Sequence, residues 1–455
     1  MNPLQIPAHI TFILFLLAQP ALAFTTIDSL PYNCNIPGET YVLATDLSLT
    51  SGNAVTISTD DVVIDGSGKT LTYANTGAGY GIYINFSVTR LEIKNVTLIQ
   101  GEYDPVNGER VHAISRSGDY SGIRIHDNMI RVNHGGKVSN AYGHGVHLAN
   151  NSANSTGTKV YRNNIAISGT SAGYGISLDY GPSQVYENVI TMSGLSSAPA
   201  GYGRAISVNG RGSDVYYNKI TLDADSDTIQ GISLWGVSNT SIHDNTITTA
   251  ANHARAILID GNSDNNRIYG NQIKMISRHD SNEDASAGIR VRFGSDNNLI
   301  YANTIDASGA LNSFPIRLGG EDTRDGQFPT LTPPSNNVIH DNTLRSSSRV
   351  ISLEDNGSDT SFYRNSVTAT GNANAIYLNG IFRSITFSSD RIIGLIRLQD
   401  GSSNILFCGT TVKKSAIRIG HGMHNYQITN GRCPYPKREA QPSSIISDTK
   451  PLPGD

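Results

Sequence analysis

Charge is scarce in this chain. Lys and Arg number 34 and Asp and Glu number 38 among 455 residues, a net charge of −4 with histidine neutral. That balance offers no basic field for a phosphate backbone, so no nucleic acid partner is expected. Cysteine is scarcer still: Cys34, Cys408 and Cys433 are the full set. None stands at a metal-ligand spacing such as Cys-x-x-Cys, and neither a metal nor a cofactor is expected. Helical periodicity is missing between the short apolar runs, which excludes the crossover helices of ordinary α/β folds. Long apolar runs are confined to residues 10–18, and no other segment is long enough to span a bilayer.

That single run leads into Ala21-Leu22-Ala23. Residues 1–23 therefore read as a secretory signal peptide cleaved after Ala23, although no Lys or Arg precedes Lys69. A secreted or periplasmic location is expected, with no stable membrane insertion after cleavage.

What the chain has in abundance is one phrase. Residues 231–247 read Gly-Ile-Ser-Leu-Trp-Gly-Val-Ser-Asn-Thr-Ser-Ile-His-Asp-Asn-Thr-Ile. The first half recurs at Gly145-Val-His-Leu, Gly175-Ile-Ser-Leu, Ala205-Ile-Ser-Val, Ala256-Ile-Leu-Ile, Gly288-Ile-Arg-Val and beyond. The second half recurs as Ile/Val-x-x-Asn-x-Ile, with its Asn at 128, 163, 188, 218, 245, 271, 303, 342 and 365. Successive Asn residues are 23 to 39 positions apart, which predicts a constant rung with one variable loop. Runs this short and this β-branched are strands. Parallel strands without helices coil, each turn stacking on the one before. The Ile, Leu and Val residues then form inward rows. The Asn residues fall at the bend, where the left-handed conformation is tolerated and stacked amides bond along the row.

Gly-Ile-x-Leu followed by Ile-x-x-Asn-x-Ile resembles the right-handed parallel β-helix repeat of the pectin-lyase-like superfamily. The resemblance covers roughly residues 54–433 and implies an all-β, single-stranded solenoid of about 13 coils. Residues 24–53 are expected to cap its N-terminal end, and 434–455, polar and Pro-rich, to form a disordered tail. The superfamily includes polysaccharide lyases, glycoside hydrolases, uronate epimerases and phage tailspikes, so the resemblance specifies fold more than chemistry. The Asp motifs and Arg-Ile-Lys of polygalacturonases are missing around Gly143-His144-Gly145 and Gly420-His421-Gly422. Tyr103-Asp104-Pro105 is followed by Val106, where alginate epimerases have His.

Stacking converts sequence alignment into surface rows about 5 Å apart. With the first inward residue of Gly-Ile-x-Leu taken as zero, position −2 carries Tyr80, His112, His144, Tyr174, Arg204, Gln230 and Arg255, and position −1 is small in the same rungs. Position +1, expected to face out, carries His147 and later Arg290 and Arg317. Position +3 carries Asp179, Trp235, Asp260 and Arg292. This is the chemistry that uronate processing needs: His or Tyr to move the proton beside the carboxylate, and Arg to neutralise the charge that builds on it. His112, His144, Tyr174 and Arg204 are the candidate catalytic residues. His147, Asp179, Trp235, Arg255, Asp260, Arg290, Arg292 and Arg317 are candidates for binding, with an acidic polysaccharide as the partner and lyase or C5-epimerase chemistry. A non-catalytic protein binding glycan or a partner, through the aromatic row described next or the Arg290/Arg292/Arg317 patch, is the alternative.

A second row, His126, Tyr161, Tyr186, Tyr216, His243, Tyr269, Tyr301, His340 and Tyr363, reads as a stabilising ladder. Cys408 and Cys433 lie 25 residues apart, about one coil, which predicts a disulfide between them with Cys34 left over.

Overall fold

A computed structural model describes residues 24–429, apart from 86–87, 107, 119, 135–142, 150–156, 170–172, 195–202, 224–228, 252, 277–285, 320–331, 355–356, 381, 399–402, 413–416 and 420–423. Among the described residues the chain is all β. Three sheets of 17, 15 and 13 strands run the length of the molecule, and strands pair in parallel with those of the next turn. One turn shows the plan. Gly143–Ala149 lies in the 15-stranded sheet, Thr158–Tyr161 in the 17-stranded sheet and Asn164–Gly169 in the 13-stranded sheet. We call these sheets B, A and C. The chain is a single-stranded parallel β-helix.

Inside, the apolar rows are continuous. Leu234 is fully buried and pairs with Val208 on one side and Ile259 on the other. A ring stack of Phe362, Phe387 and Phe407 fills the C-terminal end of the core at centroid spacings of 4.7 and 4.9 Å. The segment 24–53, expected as a cap, carries rung strands of its own. Thr25–Ile27 pairs with Thr40–Leu43, and Tyr32–Cys34 pairs with Val55–Ile57.

The Asn row departs from expectation in one respect. The left-handed residue is the one before each Asn: Asp127, Arg162, Glu187, Tyr217, Asp244, Ala302, Asp341 and Arg364 have φ between 52° and 57°. That bend turns the Asn side chain inward, where it is buried and bonds from rung to rung. Asn163 donates its backbone N–H (3.1 Å) and Nδ2 (3.0 Å) to Asn188 Oδ1, and Nδ2 also reaches Ile125 O at 2.9 Å. The Asn is selected by these buried backbone groups, which would otherwise be costly orphans.

Cys34 is a buried free thiol, whose pKa burial pushes up to about 12. Cys408 is disulfide-bonded; the expected partner, Cys433, lies outside the described residues, as do the signal segment 1–23 and the tail. No helix among the described residues is long and apolar enough to cross a membrane.

Candidate functional site

The site is built by an irregularity in sheet B. A Cβ on Gly145 would lie 2.6 Å from Gly175 O and 2.9 Å from Ile165 Cγ2, a core residue. Position −1 therefore points inward beside position 0, and the pairing register skips it. Two consecutive inward residues need a small one, which is why this column holds Gly and Ala from Gly81 to Gly288. The consequence is that positions −2 and +1 both face outward and come close together.

Their rings meet accordingly. His112 and His144 stack at 4.3 Å and 9°, and His144 and Tyr174 at 4.5 Å and 8°. His147 lies 4.9 Å from His144 and 5.2 Å from His112, centroid to centroid. The guanidinium of Arg204 stands 5.3 Å over the Tyr174 ring, with Nη1 at 3.5 Å from Ser207 Oγ. The expected row is thus physically contiguous from His112 to Arg204, with His147 set against it.

The hydrogen bonds decide which nitrogens can act. The backbone N–H of His144 donates to His112 Nδ1 at 3.2 Å, and that of Tyr174 donates to His144 Nδ1 at 2.9 Å. Both Nδ1 lone pairs are occupied, so the proton of each neutral ring sits on Nε2. Each ring therefore presents Nε2–H as a donor and has no free lone pair with which to accept a proton. His147 differs: its Nδ1 is buried and has no hydrogen-bond partner. Burial lowers its pKa below the usual 6.5, with Arg110 adding to the effect and Asp179 opposing it. Asp179 accepts Asn209 Nδ2 at 2.9 Å.

The outer face is more enclosed than expected. His112, His144, Gln230 and Arg255 are buried, and so are the +1 residues Ser177, Ser207 and Ser233. Arg290, Arg292 and Arg317, expected as an exposed patch, are buried too. Arg292 is committed to Asp260, with Nε at 2.8 Å and Nη2 at 2.7 Å. Arg317 is committed to Glu354, with Nη2 at 2.6 Å. Buried guanidiniums require such partners, and the carboxylates lie 32 and 37 residues away in sequence. Trp235 remains 39% exposed, its indole against Gly261, where a Cβ would sit 3.0 Å from the ring. Residues 135–142, which lead into the strand that carries His144 and His147, lie outside the described residues, and so does His421.

Three participants were not singled out from sequence. Arg116 takes the register position of Ile84 and Leu148 yet is buried, with its guanidinium 4.8 Å over Tyr120. A charge in an apolar column is a signal visible in the alignment. Tyr120 Oη lies 3.3 and 3.0 Å from the carbonyl oxygens of Leu148 and Asp179 and shares its single proton between them, tying two rungs of the site together. Glu354 stands at position +3 of its rung and is recognisable only once its partner is known.

The aromatic row in sheet A forms an unbroken stack from His126 to Tyr363, with centroid spacings of 4.5 to 5.1 Å and interplanar angles of 2° to 12°. Its rings cover one another's faces and present only edges outward, so it offers no flat platform for a sugar ring.

No family model and no curated protein matches the chain. Solved structures do. The A-module of the Azotobacter vinelandii mannuronan C-5 epimerase AlgE6 aligns at 13% identity and TM-score 0.44, covering 87% of this chain and 92% of that one. A tailspike protein of E. coli bacteriophage HK620, solved with a pentasaccharide, aligns at 11% identity and TM-score 0.46, covering 89% and 74%. The periplasmic alginate epimerase AlgG aligns at 12% identity and TM-score 0.41, covering 83% and 77%. The parallel β-helix is read from the three stacked sheets of this chain itself.

Proposed function

We propose that the outer face of sheet B binds an acidic, uronate-containing polysaccharide and processes it by lyase or C5-epimerase chemistry. The observation that carries this reading is the contiguous group of His147, Tyr174 and Arg204 on adjacent rungs of one rigid sheet. His147, on a ring whose pKa burial lowers, takes the proton from the carbon beside the carboxylate. The electron pair moves into the carboxylate, and Arg204 neutralises the charge that develops there. Tyr174 then gives a proton. Delivered to the leaving glycosidic oxygen as the bond to it breaks, it completes an elimination; delivered back to carbon from the opposite face, it completes an epimerisation. His112 and His144, their Nδ1 atoms held by backbone amides, serve as positioned Nε2–H donors.

The export reading supports a polysaccharide partner, and the disulfide at Cys408 supports export, because disulfides persist in oxidising compartments. One observation favours a non-catalytic glycan-binding protein instead: most of the row is buried and two of its three imidazoles are locked in one tautomer. Incubation with a panel of uronate polymers separates the two. Unsaturated uronate in the ultraviolet, or a changed epimer ratio by NMR, establishes turnover; binding without either establishes the second reading.

A further inference from the structure

The outer column of sheet B continues well past the candidate site. From His147 the register runs through Ser177, Ser207, Ser233, Leu258 and Arg290 to Arg317, and on through Ser352 to Tyr377 and Arg397. At the C-terminal end of this run, charge of one sign collects around two rings. The Arg349 guanidinium is 3.9 Å from the Tyr377 centroid and 5.4 Å from that of Phe314. Arg397 approaches Tyr377 at 5.7 Å, and Arg317 approaches Phe314 at 5.6 Å.

Among the described residues, one carboxylate answers these three cations. Glu354 Oε2 takes Arg317 Nη2 at 2.6 Å and Nε at 3.2 Å, while Oε1 takes Ser352 Oγ at 2.7 Å and lies 3.6 Å from Arg349 Nη1. Burial opposes the ionisation of Glu354, but Arg317, Ser352 and Arg349 outweigh it and hold the carboxyl below its usual range. Counted over the described residues, three guanidiniums less one carboxylate leave two positive charges in a half-buried cluster. Arg317 is 5% exposed and its Nη1 has no partner. Arg397 is exposed, and Arg349 is partly so. Arg317 spends its Nε/Nη2 edge on Glu354 and keeps Nη1, while Arg349 and Arg397 are held against the Tyr377 ring with the planar N–H forks that suit a planar or tetrahedral oxyanion.

We propose that Arg317, Arg349 and Arg397, arranged around Phe314 and Tyr377, form an anion-binding subsite for a carboxylate or sulfate ester carried by a polysaccharide lying along the rod. The path of that polysaccharide rests on the reading of sheet B given above; the anion chemistry does not. Eight register steps separate His147 from Tyr377, roughly 40 Å at the parallel-strand spacing. A chain of about eight sugars, one per rung spacing of about 5 Å, reaches from one group to the other. The subsite therefore selects for length: a long chain engages both ends at once and gains by effective concentration, and a short one cannot.

Calorimetric titration of the full-length protein tests this, using oligouronates of about four and about twelve residues to fall short of and exceed that span. Sulfated and neutral oligosaccharides of the same lengths form the other arms. The long oligouronate should bind at least about tenfold more tightly than the short one, and the advantage should shrink with added salt. In Arg349→Ala and Arg397→Ala the ratio of long-chain to short-chain affinity should collapse toward one. Arg397→Lys should retain part of it, by keeping charge without the fork. A sulfated oligomer that shows the length advantage while the uronate does not assigns the site to the ester. An unchanged ratio in Arg397→Ala, whose exposed side chain poses no threat to folding, overturns the subsite, as does equal long-chain binding by the neutral oligomer. A length advantage lost in these variants, in a protein that turns over no uronate, keeps the subsite and removes the chemistry proposed for His147.

Discussion

Asn365 donates both its backbone N–H (2.7 Å) and its Nδ2 (2.9 Å) to a single oxygen of Asp390. This is where the buried amide ladder ends, with a carboxyl in the place of the next Asn. The other oxygen, Oδ2, is buried without a partner. Burial pushes the Asp390 pKa from 3.8 up to about 7, against the hydrogen bonds from Asn365 and Ser388. The folded state therefore holds a proton that the unfolded state has lost. Between pH 3.8 and about 7 stability falls as pH rises, and above that window the loss is complete. Asp390→Asn should flatten this dependence and raise the melting temperature at neutral pH. Identical melting curves across the range for the variant and the parent would show that Asp390 is not the end group it resembles.

His243 should contribute stability of the opposite pH sense to an ordinary buried histidine. Burial lowers its pKa, but Nε2 at 3.0 Å from Asp214 and Nδ1 at 2.9 Å from Asp244 outweigh this and raise it above 6.5. The imidazolium clamp is fully present below pH 6.5 and is lost as pH climbs through the raised folded value. His243→Phe keeps the ring stack and removes the clamp. The variant should be less stable than the parent in mild acid, and the gap should narrow in alkali. Thermal unfolding at both ends of the range reads it.

Adjacent residues Leu234 and Trp235 should respond very differently to truncation. Leu234 is fully buried between Val208 and Ile259, whereas Trp235 is 39% exposed. Leu234→Ala should cost about 2–5 kcal/mol by the transfer and cavity terms. Trp235→Ala should cost clearly less. Denaturant titration measures both, and because this is the only Trp in the chain, indole fluorescence reports on ligand arriving at that rung.

The two ring columns should separate stability from function. Tyr216→Ala and Tyr269→Ala each remove a ring stacked on both sides, worth about 0.5–1.5 kcal/mol per contact beyond area, and should leave turnover of an acidic glycan near the parent value. His147→Ala and Arg204→Ala should lower that turnover by about a hundredfold or more with the fold intact. Steady-state kinetics with parallel melting curves decides, and the reverse pattern would move the site to sheet A.

The stack itself was legible in the sequence, because a parallel coil imposes in-register repetition. Ile-x-x-Asn-x-Ile and Gly-Ile-x-Leu must recur if apolar rows and amide ladders are to close, and Tyr must follow Val at 161, 186 and 216 if the rings are to stack. The contiguity of His112, His144, Tyr174 and Arg204 came from the same alignment, since rung neighbours are neighbours in space. What a single rung cannot express is its relation to the next. The left-handed residue proved to be Asp127 rather than Asn128, because the amide ladder needs the Asn turned inward. Which nitrogen of His144 is available depends on the backbone of Tyr174, 30 residues on. Arg292 and Arg317 read as surface charges until Asp260 and Glu354 were brought beside them. Burial and charge pairing on the outer face are properties of several turns at once, and only the tertiary structure assembles them.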